Sequence, residues 1–247
     1  MDPLHERNEP NHDAWQVFQR VCDQRRAVRH FTGAPVADAD MRAILAAAQT
    51  APSSRNSQPY QLHWVRDAEQ RGKLAKACGD QRAARGAGAF VVVVANWRSI
   101  RTTYAEMLRH VEAQPEASER SKAYHRGQAR EVNWFLRIMS LRLLGALRLI
   151  ASTFWPVLSL VPAGPAGLHH WATRSSLYAA QTLLLAATAR GIASCPMEGF
   201  NPLQVRKALR LPHSVVIPIV IALGERASDA REEPRWRRDF ATTVVVH

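Results

Sequence analysis

The chain has 247 residues, 47% of them hydrophobic, and carries a net charge of +12 with an isoelectric point near 10.7. That length and apolar content suit one compact domain with a sizeable core and exclude wholesale disorder. The charge is mostly Arg, spread along the chain without a basic block or zinc-finger spacing. This argues against a nucleic-acid binder and suits an anionic membrane surface or a phosphate-bearing small ligand.

Three widely spaced cysteines, Cys22, Cys78 and Cys195, form no CxxC pair, so neither a disulfide framework nor a metal site is expected. Cys195 lies beside a candidate site but reads as a small buried thiol rather than a nucleophile. The start, M-D-P-L-H-E-R-N-E-P, has no apolar core of a signal peptide, which favours a cytoplasmic protein.

In chain order, residues 1–12 read as a frayed polar arm. Asp13 and Gln16 suggest a capping box for a first helix whose apolar face is Val17, Phe18 and Val21. Arg25, Arg26 and Arg29 then fall within five residues at the helix exit. Guanidinium forks suit phosphate oxygens, although a solvated basic turn has the same local pattern. Asp38 caps a second helix through Met41, Ile44, Leu45 and Ala48, and Pro52 stops it. Pro52 to Tyr60, P-S-S-R-N-S-Q-P-Y, is a loop dense in hydrogen-bonding groups. A short strand around Leu62 and Trp64 follows, then a third helix from Asp67. Ala89–Asn96 is a β-branched run that reads as a strand buried on both faces. A bland amphipathic helix covers about 102–113, and 114–130 is charged and loop-like or weakly helical.

Trp134 to Pro162 is strongly apolar but interrupted by Arg137, Arg142 and Arg148, with Pro156 limiting any single helix. A membrane span is disfavoured, because it would bury an Arg or tolerate the proline. Extra core, a lid over a pocket, and an interfacial anchor all remain open for 134–162. After a P-A-G-P-A-G linker at 162–167, an Ala-rich helix runs from Trp171 to Arg190 and Gly191 ends it. The chain is organised around S-C-P-M-E-G-F, Ser194–Phe200, read as a short loop before a helix that starts at Asn201-Pro202. Such a loop can offer backbone N–H groups to a flat heteroatom ring, or be a plain turn between helices. Val215–Gly224 is a second buried strand, with Pro218 marking an edge or bulge. If the tail is extended, Arg235 and Arg237 share a face, as a phosphate clamp or a solvated edge.

Together these stretches resemble the FMN-dependent nitroreductase family. The resemblance rests on R-R-A-V-R-H-F, A-P-S-S-R-N-S-Q-P-Y, G-I-A-S, C-P-M-E-G-F, P-I-V-I-A-L-G and R-W-R, in order over about 15–100 and 171–247. It implies an α+β fold, a central, mainly antiparallel sheet flanked by helices, in an intertwined homodimer with FMN at the subunit interface. It implies one domain over 1–247 with an apolar, Arg-containing insertion at about 115–165. Carried over by position, Arg25, Arg26 and Arg29 resemble the flavin phosphate and ribityl contacts, and Arg235 and Arg237 the C-terminal phosphate clamp. Ala27 stands where the family often has Ser, so one hydroxyl contact is absent or replaced. Pro52, Ser53, Ser54 and Asn56 resemble the loop that reaches the partner's flavin. Pro196, Met197, Glu198 and Gly199 resemble the loop against the flavin ring, and Gln81 a further contact.

The activity implied is ping-pong hydride transfer through flavin N5, from NAD(P)H to a nitroaromatic, quinone or activated alkene. The flavin carries the chemistry, and no side chain is expected as a certain catalytic residue. His30 and His63 are expected to be structural. The competing readings are dehydrogenation or reductive dehalogenation on the same fold, and a low-turnover flavin-binding protein at a membrane surface.

Overall fold

The computed structural model describes residues 12–247. The polar arm expected at 1–12 therefore lies outside the described residues, except that His12 begins the first helix. The elements run α1 (His12–Gln24), α2 (Asp38–Gln49), β1 (Tyr60–Val65), α3 (Ala68–Ala77), α4 (Arg82–Arg85), β2 (Ala89–Ala95) and α5 (Ile100–Glu112). They continue with α6 (Glu119–Met139), α7 (Arg142–Phe154), α8 (Gly164–Ala189), β3 (Ala193–Met197), α9 (Pro202–Ala208), β4 (Val216–Gly224) and α10 (Phe240–Thr243).

The four strands form one sheet in the order β1-β2-β4-β3, and all neighbours are antiparallel. All of β2 is buried, as its unbroken apolar run requires. Its side chains alternate between two cores. Val91 and Val93 pack with Met41, Ile44 and Leu183 from α2 and α8. Phe90, Val92 and Val94 pack on the other face with Leu74 and Ala77 of α3 and Val205 of α9. A third cluster joins Trp97, Ile100 and Tyr104 to Val132 and Leu136 of α6 and Leu168 of α8. The architecture is helix–sheet–helix, α+β, with α5–α7 inserted between β2 and the long α8.

Four local expectations change. Within 114–130, expected to be loop-like or weakly helical, the chain from Glu119 on belongs to a full helix that runs to Met139. Ser118 caps it by accepting from the Ser121 amide, and Val132 and Leu136 bury against α8's cluster. The linker at 162–167 is mostly the first turn of α8, which begins at Gly164 rather than Trp171. The second helix has Ala37 as its cap residue, while Asp38 pairs with Arg66 instead of capping. The central stretch is not simply a loop, because Ala193–Met197 is an edge strand paired with β4. Pro196 is tolerated there because an edge strand has one side without a ladder partner. Pro218 lies where the β2–β4 register shifts, as a bulge requires.

Two punctuation marks hold as read. Gly191 takes a positive φ of 73° at the end of α8. Asn201 caps α9 by accepting from the amides of Leu203 and Gln204 at 3.0 and 3.1 Å.

Candidate functional site

The exit of α1 lies along the free edge of β3. Ala27 pairs with Ser194 in a parallel bridge, and the Val28 amide donates to the Ser194 carbonyl at 2.9 Å. This places Arg25 and Arg29 beside the edge strand, and Arg29 is close enough to act electrostatically on Cys195. The following residues bind the end of β4, with the Thr32 amide on the Glu225 carbonyl and the Ala227 amide on the His30 carbonyl.

Between this segment and the C-terminal tail opens a cavity of about 440 Å³, lined among others by Arg25, Arg26, Ala27, Arg29, Arg235 and Arg237. The guanidinium groups differ in how they are satisfied. Arg26 pairs with Glu232 at 3.3 Å and donates to the Glu233 carbonyl. Arg235 donates to the carbonyls of Cys22, Asp23 and Arg25 at 3.1, 2.6 and 3.0 Å, closing the C-terminal end of α1. Arg237 donates to the Trp236 carbonyl at 2.8 Å. The side chains of Arg25 and Arg29 have no hydrogen-bond or acidic partner among the described residues. Burial lowers the Arg25 pKa, and the nearby charges of Arg235, Arg237 and Arg26 lower it further. The cavity thus concentrates positive charge that the described residues leave partly unneutralised.

At the far end of β3, Met197 is buried while Glu198 and Gly199 are exposed. The amides of Glu198 and Gly199 donate to no group among the described residues. Gln81 steadies this turn by donating to the Gly199 carbonyl at 3.3 Å and to the Cys78 carbonyl at 3.0 Å. The fold therefore brings Gln81 to the 196–199 turn.

The loop Pro52–Asn56 is placed elsewhere. It leads into β1, the opposite edge of the sheet from β3. Three strand spacings, roughly 14 Å, separate the two edges. The loop is held firmly: Tyr104 Oη donates to the Arg55 carbonyl at 2.6 Å, Arg55 pairs with Glu131 at 2.8 Å, and Ser53 Oγ accepts from the Gln58 amide at 3.0 Å. Arg55 and Asn56 both adopt φ of 53°, a left-handed conformation uncommon for such side chains. One chain thus gathers Arg25, Arg26, Ala27, Arg29, Arg235 and Arg237 at one cavity beside β3. It leaves Pro52, Ser53, Ser54 and Asn56 at the opposite edge of the sheet.

The structure adds a group that the sequence reading did not place at the site. His30 Nδ1 lies 2.6 Å from Asp229 and 2.8 Å from Arg82 Nη2, and Arg82 also reaches Asp229 at 2.9 Å. Nδ1 can donate to Asp229 or accept from Arg82, but not both at once. Arg82 and Arg226 also line the cavity. Their only local signal was adjacency, Arg82 to Gln81 and Arg226 to the end of β4.

A family model described as the nitroreductase family matches residues 22–225. The chain belongs to that family. The match takes in Arg25–Arg29, the 196–199 turn and Gln81, and ends before Arg235 and Arg237. Nitroreductase NfnB of Mycolicibacterium smegmatis is 34% identical over 194 residues, 76% of this chain and 73% of that protein. A Thermus thermophilus protein described as an NADH dehydrogenase is 28% identical over 212 residues, 83% of this chain and 85% of that one. A protein of Exiguobacterium sibiricum, described as a nitroreductase and solved in complex with FMN, has the same fold. Its TM-score is 0.68 at 20% identity, with 93% of this chain and 97% of that one covered.

Proposed function

We propose that this chain is an FMN-dependent oxidoreductase that takes electrons from NAD(P)H and reduces electron-poor acceptors such as nitroaromatics, quinones or activated alkenes. The observation that carries the reading is the pair Arg25 and Arg29, left without hydrogen-bond or ion-pair partners among the described residues in a cationic cavity beside β3. A dianionic FMN phosphate fits this donor set, because it would relieve the repulsion that adds to burial in lowering the Arg25 pKa. The amides of Glu198 and Gly199, which donate to no group among the described residues, suit a ring that gains negative charge on reduction. When bound, FMN would supply the two-electron chemistry, with donor and acceptor using the same place in turn.

The chain's own residues bind and orient. Arg25 and Arg29 would hold the phosphate, with Arg26, Arg235 and Arg237 shaping the cavity around it. Gln81 fixes the carbonyl of Gly199 and so aims the turn. No side chain acts as a strong acid or base: Glu198 is exposed, and protons come from water. Cys195 takes no redox part. Burial pushes its thiol up, and Arg29 only partly offsets this, so the unreactive thiol persists at neutral pH. The loop of Pro52, Ser53, Ser54 and Asn56 would complete the site of a second subunit. We accordingly read the chain as a homodimer of one-domain subunits, with about 115–165 as an insertion.

The direct test is the absorbance spectrum of the purified protein, followed by anaerobic addition of NADPH and then NADH. A flavin spectrum that bleaches with a donor and recovers with a quinone or nitroaromatic is expected. A colourless protein that also refuses added FMN overturns the reading. A yellow protein that neither donor bleaches points instead to dehydrogenation or to flavin binding without turnover.

A further inference from the structure

Helix α7 carries its apolar face outward. Leu143, Leu147, Ile150 and Phe154, at i, i+4, i+7 and i+11, form one stripe. They are 70, 54, 63 and 74% exposed, and no residue of α7 is buried. The half-buried face turned to the protein is Leu144, Gly145, Arg148, Ala151 and Ser152, with Leu144 its one large apolar side chain. Gly145 meets Gly164 of α8 so closely that a Cβ on Gly145 would lie 3.1 Å from the Gly164 Cα. Arg148 turns inward and donates to the Ser159 carbonyl at 2.7 Å. The 3₁₀ turn Pro156–Leu160 continues the exposed apolar surface with Trp155, Val157 and Leu160. This is the reverse of a soluble helix, whose apolar stripe faces the core. Among the described residues, α7 therefore does not serve as extra core, one reading of the 134–162 stretch.

The charge around the stripe has one sign. No Asp or Glu occurs between Glu131 and Glu198. Arg142 opens α7 and is exposed, and Arg174 reaches across to the Leu160 carbonyl at 3.3 Å. An apolar face bordered by Arg and without acids complements an anionic lipid surface. Two copies meeting through this face would bring like charges together with no acid to pair them. The helix has 13 residues, about 20 Å long, against a hydrocarbon core of about 30 Å. No described helix is long and apolar enough to cross a membrane.

We propose that α7 and the following 3₁₀ turn dock on an anionic bilayer, lying in the headgroup plane with the Leu143–Phe154 stripe and Trp155 inserted. Arg142 and Arg174 contact lipid phosphates, and Arg148 remains engaged within the protein. This surface function stands on the exposed face alone and does not depend on the flavin reading.

The experiment is co-sedimentation of the full chain with vesicles of phosphatidylglycerol and phosphatidylcholine, compared with phosphatidylcholine alone. We expect partitioning onto the anionic vesicles to be stronger by about tenfold or more and to weaken with salt. L147E/I150E lowers it by about tenfold or more, as expected from loss of inserted apolar surface. R142A/R174A reduces the anionic preference. Leu147 and Ile150 face solvent, so the melting temperature of L147E/I150E should hold. If L147E/I150E nevertheless fails to fold, quenching of Trp fluorescence in the unmodified protein by brominated lipid decides, and no quenching overturns the proposal. Equal binding to both vesicle types, no binding, or binding untouched by L147E/I150E also overturns it. A fall in solution mass of L147E/I150E without vesicle binding identifies the face as a contact between copies, and likewise refutes membrane docking.

Discussion

Arg25 and Arg29, unlike Arg26, Arg82, Arg226, Arg235 and Arg237, have no hydrogen-bond or ion-pair partner for their side chains among the described residues, and that sets what their removal does. R25A/R29A loses charge-assisted contacts of ~1.5–3 kcal/mol each while sparing α1. FMN affinity should fall by about tenfold or more, with the melting temperature of the apoprotein unchanged or raised. Fluorescence titration with FMN checks this, and unchanged affinity would remove the cavity from the site. R235A should behave differently, because Arg235 closes α1 through three carbonyls. Its first effect is on the stability of α1, read by hydrogen exchange.

Glu232 gives the tail its own pH dependence. The hydrogen bond from Arg226 holds its carboxyl below the usual range, with Arg26 and Arg235 adding to the effect. A depressed folded pKa stabilises the folded arrangement above the unfolded value, and this is lost as pH falls through the folded pKa. Proteolysis of 231–239 should therefore accelerate on acidification into the range below ~4. E232Q should show the faster rate already at neutral pH. A tail insensitive to both changes would show that Glu232 anchors nothing.

At the scale of elements, the long apolar and capped pieces were legible and the polar ones were not. Val91–Val94 read as part of a buried strand and Asn201-Pro202 as a helix start, and both are so. Helix α6 was hidden because Glu119–Arg130 shows no apolar stripe and contains Gly127. Its helicity depends on the Ser118 cap, on the Lys122–Glu119 and Arg126–Glu112 pairs, and on burial of Val132 and Leu136 downstream. The strand β3 was hidden in S-C-P-M because strand propensity is largely a matter of neighbours, and its ladder partners on β4, from Val220 to Gly224, lie well beyond the intervening α9 in sequence. Docking of α7 depends on the Gly145–Gly164 contact. Gly164 has φ of 71°, and a Cβ there would lie 2.4 Å from the Gly145 Cα. G164A combines a left-handed Ala, at roughly 1–2 kcal/mol, with a backbone clash. It should lower the melting temperature and open 140–163 to limited proteolysis while the sheet stays protected. An unaltered digestion pattern would show that α7 is not held through this glycine pair.

At the scale of the molecule, a single chain leaves much apolar surface outside. Trp15 and Phe18 of α1, Leu177 and Tyr178 of α8, and Trp236, Phe240 and Val244–Val246 of the tail are exposed. The apolar face expected for α1 exists, but the described residues do not bury it. Exposure of this extent, together with Pro52–Asn56 at the far edge from Arg25, is what a two-fold assembly would resolve. Light scattering should give twice the 27.6 kDa chain mass. If the loop serves the partner's site, R25A/R29A chains and S54A/N56A chains should each be impaired alone and recover activity when refolded together. Full turnover by a monomer, or no recovery in the mixture, would place the 52–56 loop outside the site.

The sequence by itself determined the family through ordered short motifs, the buried strands through unbroken β-branched runs, and the helix ends through Gly191, Asn201 and Asp67. These are local signals, set by backbone preference and by how much apolar surface a segment must hide. Only the tertiary structure decided that the 194–197 stretch pairs as an edge strand. It also showed which arginines are satisfied by carbonyls and which remain free, and that α7 turns its apolar face away from the core. Each depends on groups distant in the chain, because hydrogen bonds and burial are allotted by the fold rather than by neighbouring residues.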